Sequence, residues 1–150
     1  MNRLYQNELI GTIAIQSALD NSIGNSLSLA KVMLVLPLLF DKAVRSVLKR
    51  KNSVVLGSKD LLISNPVAFV TIRARYEDLT ITSLNAIILA QEMGLVTLVG
   101  NCLVLKKKIF FPNNLEIGKN ALDILASGPK VGLILSEDAA DLYQTFRIEL

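Results

Sequence analysis

Apolar positions recur at helical spacing through most of the chain, and the breaks between them fall at polar clusters, glycines and prolines. Asn7 reads as an N-cap before Glu8, and Leu9, Ile10, Ile13, Ala14 and Ala18 trace one face of a helix over about 8–19. Residues 20–28 are polar and contain Gly24, a loop, and Ser28 is placed to cap a strongly apolar segment that begins at Leu29. Proline lacks a backbone donor and collides with the preceding turn, so the helix over about 29–49 is expected to break at Pro37 and resume near Asp41. A short apolar stretch at 54–56 and a helix capped by Ser58 come next. In Ser64-Asn65-Pro66 the proline suits a first helical turn and opens a helix over about 66–78. The helix expected over about 82–93 is apolar nearly all the way round, with one polar stripe through Thr82, Asn85 and Glu92, which predicts a central position. Gly94 stands where a left-handed residue would end it.

The period then changes. Leu95, Val96, Leu98 and Val99 lead into Gly100-Asn101, and β-branched and aliphatic residues follow until Pro112-Asn113-Asn114, which reads as a β-hairpin over about 95–111. A buried helix that stops at a glycine and runs into a two-stranded hairpin is the arrangement of a winged-helix module, the hairpin being the wing. Helices over about 115–127 and 130–146, separated at Gly128-Pro129, complete the chain. The expectation is a single, mainly α-helical domain over residues 1–150, with a winged-helix-like core and one β-hairpin.

Composition adds a partner to this picture. Hydrophobic residues make up 51% of the chain and charged residues 19%, against about 25% charged in an ordinary soluble domain. A chain of 150 residues removes only about two thirds of its unfolded surface from water, so the apolar surplus needs another protein or a membrane to cover it. A spanning helix takes about 20 apolar residues. The longest candidate, residues 32–40, lies between Lys31 and Asp41 and contains Pro37, and residues 1–7 lack the apolar core of a secretion signal. The expectation is a cytoplasmic subunit without a membrane span. The apolar run around Pro37 exceeds what one small core needs, which marks Leu34, Leu36, Pro37, Leu38, Leu39 and Phe40 as candidate partner-binding residues, though not all can face outward.

The residue types that are absent restrict the chemistry. With no histidine and a single cysteine, Cys102, the usual zinc sites, Ser-His-Asp triads and Cys-His pairs cannot be assembled from this chain alone. The eight glycines are scattered, and neither GxxxxGK[ST] nor GxGxxG occurs. No catalytic, cofactor-binding or metal-ligating residue is therefore nominated, and the chain is not expected to be an enzyme. Cys102 reads as a small core residue. Asp138 and Asp141 read as acids in the first turn of a helix, favoured there by its dipole, rather than as a catalytic pair.

Sixteen basic against thirteen acidic residues give a net charge of +3, a weak bias whose distribution matters more than its size. Lys42, Arg45, Lys49, Arg50 and Lys51 form one cluster without an intervening acid, and Lys106, Lys107 and Lys108 form a second. Lys49, Arg50, Lys51 and the three later lysines are candidate DNA-phosphate contacts. A solvated helix face and an edge-protecting lysine cluster are the competing readings, and strand alternation would set Lys107 opposite its two neighbours.

Taken in order, Asn7 before an apolar helix, LVLPLLFDKAVRSVL at 34–48, RARYEDLTITSLNAIILAQEMGLVTL at 73–98 with its hairpin, and LYQTFRIEL at 142–150 form a pattern. It resembles the small middle component of three-component ABC-ATPase systems over nearly the whole chain. The resemblance implies a non-catalytic adaptor that docks on an SMC-like ABC ATPase and couples it to an effector, as in Lamassu-type antiphage or DNA-surveillance complexes. DNA would then be reached through the complex. The alternative is a free-standing winged-helix DNA-binding regulator. Such a regulator needs a groove-reading helix rich in Arg, Asn, Gln or Ser, and residues 84–93 supply only Asn85 and Gln91.

Overall fold

The computed structural model describes residues 3–50, 56–113 and 117–149, without the side chains of residues 3–6 and 68. The fold is built round α1 (Arg3–Asp20), whose residues 11–19 are all buried. Asn7, expected as the cap of this helix, lies inside it. The long helix α7 (Ile72–Glu92) packs along α1, and Gly11 and Ala86 meet closely there: a Cβ on Gly11 would come within 2.8 Å of the alanine methyl.

Between these two helices the chain makes β1 (Ser26–Ser28) and the short helices α2 (Leu29–Val32), α3 (Val35–Leu39) and α4 (Lys42–Leu48). Ser28 caps α2 through its side chain, accepting from Lys31 N, as its position in the sequence requires. The helix expected over 29–49 breaks twice, and the first break precedes Pro37. The proline occupies the third residue of α3, in a first turn whose N–H groups have no intrahelical partner in any case, so it opens a helix instead of kinking one. Asp41 caps α4, with Oδ1 accepting from Ala43 N at 2.8 Å and Val44 N at 3.3 Å.

The next elements are α5 (Ser58–Ser64) and α6 (Pro66–Phe69), with Pro66 in the first turn of α6 as expected. Ser58 does not cap α5; its own N–H and hydroxyl both donate to the Glu137 carboxylate, at 2.8 and 2.7 Å. The two helices expected over 66–78 and 82–93 are instead α6 and the single long α7. Thr80 lies inside α7, its hydroxyl donating to Tyr76 O one turn back at 2.8 Å.

Gly94 ends α7 with φ 76°, the left-handed conformation that favours glycine. The hairpin β2 (Val96–Val99) and β3 (Cys102–Leu105) follows and is shorter than the expected 95–111. β1 joins it as a third antiparallel strand in the order β1-β3-β2, with Leu27 opposite the fully buried Leu103. Helix, strand, helices, long helix and hairpin, with the first strand returning to the edge of the hairpin, is an order consistent with a winged-helix-like core. Mainly helical structure with one small antiparallel sheet is the observed class.

The C-terminal third forms α8 (Gly118–Ala126), α9 (Gly128–Ile134) and α10 (Ala139–Thr145), in place of the two helices expected. α8 and α9 both lie against α1. For α9 the approach depends on Gly132: a Cβ there would collide with the carbonyl of Asn21, just past the end of α1.

Candidate partner-binding surface

The apolar run around Pro37 is interior. Leu34, Leu36, Leu38 and Leu39 are fully buried, Pro37 is buried with them, and Phe40 alone is half-buried. The partner surface expected at these six residues is therefore not on the outside of the chain, except at Phe40. The run packs between α1, α4 and α7, so the central core of this small domain absorbs more of the leucine-rich segment than its length suggests.

Uncovered apolar residues occur at several places, among them Ile23, Leu56, Leu98, Val99 and Leu133, and one row of them lies on α7. Ser83, Ala86, Ile87 and Ala90 form its buried face, and Ile81, Leu84 and Ile88, spaced i, i+3, i+7, are 72%, 49% and 53% exposed. Small residues, Ser83, Ala86 and Ala90, stand beside Ile87 on the inner face, and the helix is not covered on every side as its apolar circumference predicts. Around α6, Ile63, Val67 and Val70 are exposed as well. Scattered apolar side chains on a surface need no explanation, but three large ones in register make the outer side of α7 a candidate for contact with another protein.

Polar groups of the kind that read bases are few on the C-terminal half of α7. Besides the three apolar residues it carries Asn85, which donates to Glu8 Oε1 at 3.2 Å, together with Gln91 and Glu92. Nearer its start, Arg73 pairs with Glu77 at 3.7 Å.

The basic candidates are dispersed. Lys49 Nζ pairs with Asp123 at 3.3 Å, a half-exposed bridge between α4 and α8. Arg50 accepts a hydrogen bond from Lys130 Nζ through its backbone carbonyl, and Lys51 lies outside the described residues. Lys106, Lys107 and Lys108 are all exposed, because the strand ends at Leu105; the backbone N–H groups of Lys106 and Lys107 both turn to Leu95 O, at 2.8 and 3.3 Å. Alternation therefore does not separate them, and they follow the hairpin instead of lying along it. Lys108 pairs with Asp20 at 3.1 Å and lies 5.5 Å from the centre of the Phe111 ring. Cys102, expected in the core, is half-buried at the start of β3.

Acidic side chains have structural tasks. Glu137 holds the start of α5, Asp138 caps α10 by accepting from Ala140 N at 2.8 Å, and Asp141 lies in the same first turn. Asp41 combines its cap with an ion pair, Arg75 Nε lying 2.9 Å from Oδ2 without the alignment of a hydrogen bond. Among the described residues no three His, Cys, Asp or Glu side chains gather as a metal would need, and no helix is long and apolar enough to cross a membrane.

Two contacts have no local signal in the sequence. Gln16, buried on α1, accepts from the N–H groups of Ile109 and Phe110 and donates to Phe110 O, binding the segment that follows the hairpin. Tyr143 on α10 donates to Ala30 O at 2.6 Å and meets Tyr76 edge to face, 5.6 Å between ring centres.

Comparison with known proteins adds a family to this geometry. No curated protein and no solved structure matches the chain. The family model of the ABC-three component (ABC-3C) system Middle Component 3 matches residues 3–150. With an alignment spanning almost every residue, the chain belongs to the middle-component-3 family of ABC-three component systems.

Proposed function

We propose that this middle component is a non-catalytic adaptor that docks on the ABC ATPase of its system through the outer face of α7 and couples that ATPase to an effector. The exposed row Ile81, Leu84 and Ile88 carries the reading, since a small domain that leaves three large apolar residues in register on one helix is stabilised when a partner covers them. A standard interface buries about 800 Å² on each partner, and Ile63, Val67 and Val70 around α6 supply further uncovered apolar area toward that size. We further propose that the ATPase is SMC-like and that the assembly is an antiphage or DNA-surveillance system of the Lamassu type; the segments at 34–48, 73–98 and 142–150 support this through their resemblance to such components. The histidine-free composition supports the assignment of hydrolysis to the partner subunits.

A free-standing DNA-binding regulator is the weaker reading, because over residues 84–93 the helix it would place in the major groove offers only Asn85, already bonded to Glu8, and Gln91 as base-reading groups. DNA contact by the assembled complex is proposed instead at Lys106 and Lys107, which the fold leaves facing solvent.

Co-expression with the system's ATPase tests the docking face. The wild-type chain is expected to co-purify with it, and Leu84→Asp combined with Ile88→Asp to abolish this at unchanged melting temperature. Co-purification of the double variant at wild-type yield would reject the face.

A further inference from the structure

A second surface differs in chemistry from the α7 face. A pocket of about 160 Å³ opens where α1, the end of α3, α4 and α8 meet, lined by Asn7, Ile10, Phe40, Arg45, Asn120 and Ile124. Arg45 is 8% exposed, and its guanidinium is only partly satisfied. Nη1 donates to Leu39 O at 2.9 Å and Nε is sealed without a partner. Nη2 is neither sealed nor bonded, so it is the donor left for the pocket.

The charges around Arg45 leave a surplus. Asp41 is occupied by the α4 cap and by Arg75, and Asp123 by Lys49. Three cations thus share two carboxylates, and burial holds the Arg45 guanidinium below its usual pKa against the opposing pull of Asp123 and Asp41. A buried cation without its own counter-ion is costly, and an arriving carboxylate removes that cost. The polar residues at the mouth, Asn7 and Asn120, are exposed amides able to donate to the same carboxylate, and Ile10, Phe40 and Ile124 supply an apolar wall. Phe40 is also the one residue of the Pro37 run that reaches the surface.

We infer that this pocket receives an Asp or Glu side chain from another subunit of the same assembly, making a second anchor distinct from the apolar face of α7. The volume suits a carboxylate and its methylene stem, the charge requires an anion, and burial makes the pair strong once water is excluded. The inference rests on the adaptor reading, since it takes the occupant from a partner subunit.

Asn120→Asp in the full-length chain tests it by placing a competing carboxylate at the mouth. Two effects of opposite sign are expected. The isolated chain melts higher by about 2–4 °C, and most of that rise disappears in an Arg45→Gln background. At the same time one subunit of the co-expressed complex binds at least about tenfold more weakly than to wild type. Sodium acetate, compared with chloride at equal ionic strength, serves as the free probe and is expected to raise the melting temperature of neither protein by more than salt alone does, because a lone small carboxylate lacks the partner's other contacts. Wild-type binding of every subunit by Asn120→Asp overturns the inference, and acetate that stabilises the wild type but not Asn120→Asp overturns it too, by showing a pocket for small carboxylates instead of a partner's. Failure of the wild-type chain itself to bind any subunit would remove the adaptor reading, and this inference with it.

Discussion

Gln16 serves Phe110 as a neighbouring strand would: its Nε2 donates to Phe110 O at 2.6 Å while its Oε1 accepts from Phe110 N at 2.8 Å. A third bond, from Ile109 N at 2.8 Å, completes the clamp. One buried side chain on α1 thus holds the backbone of residues 109–110 after the hairpin.

Gln16→Ala removes all three bonds and leaves partly buried backbone groups unpaired. Each such group costs about 1–3 kcal/mol, so a destabilisation of at least about 2 kcal/mol is expected in denaturant unfolding. Hydrogen exchange gives the more specific check: the amides of Ile109 and Phe110 should lose protection while those of β3 keep theirs.

Tyr143 joins α10 to α2 through Ala30 O, and burial, aided by the Tyr76 hydroxyl, holds its phenol above the ordinary value near 10. Tyr143→Phe is expected to cost about 1–2 kcal/mol at neutral pH. The unfolded phenol ionises first, so the stability that the protonated native phenol contributes is complete below pH 10 and declines as pH rises above it. Urea unfolding measured between about pH 8 and pH 11 should show that alkaline decline in the wild type and a shallower one in Tyr143→Phe.

Gly132 admits the end of α1. An alanine methyl there meets backbone, which cannot move as a flexible side chain can. Gly132→Ala is expected to destabilise by about 1–3 kcal/mol, whereas Ala126→Gly, an exposed position on α8, should cost no more than about 1 kcal/mol. Thermal melting of the two variants side by side makes the comparison.

The DNA contact proposed at Lys106 and Lys107 has a test in salt dependence. In the assembled complex their joint replacement by Glu should weaken DNA binding and flatten the plot of log K against log salt by close to one unit for each phosphate no longer neutralised. The isolated subunit is expected to bind weakly at any salt concentration. An unchanged slope returns both lysines to the role of a solvated surface.

What the sequence makes legible is local. Ser28 caps α2, Pro66 opens α6 and Gly94 ends α7 because each signal acts within one turn of itself. Pro37 marks a boundary in the sequence and lies near one in the fold, but on its other side, since the rule that bars proline from a helix interior equally permits it in a first turn. Contacts between distant segments have no such signal: Glu137 holds the start of α5 across 79 residues of sequence, and Gln16 reaches Phe110 across 94. The candidate surface moves from the Pro37 run to α7 for the same reason. Apolar spacing identifies Leu36 and Ile88 alike as hydrophobic, and it takes the tertiary packing, in which α1 meets α7 at Gly11 and Ala86 with Leu36 beside them, to put the leucine in and the isoleucine out.

The most direct test of the adaptor account is the dissociation constant between the purified middle component and the ABC ATPase of its system, measured for the wild type and for Leu84→Asp/Ile88→Asp. The account predicts a specific complex for the wild type and at least about a hundredfold weaker binding for the variant, the change expected when about 3 kcal/mol of interface burial is replaced by two desolvated charges. Equal affinity of the two proteins, or no binding by the wild type, would contradict it.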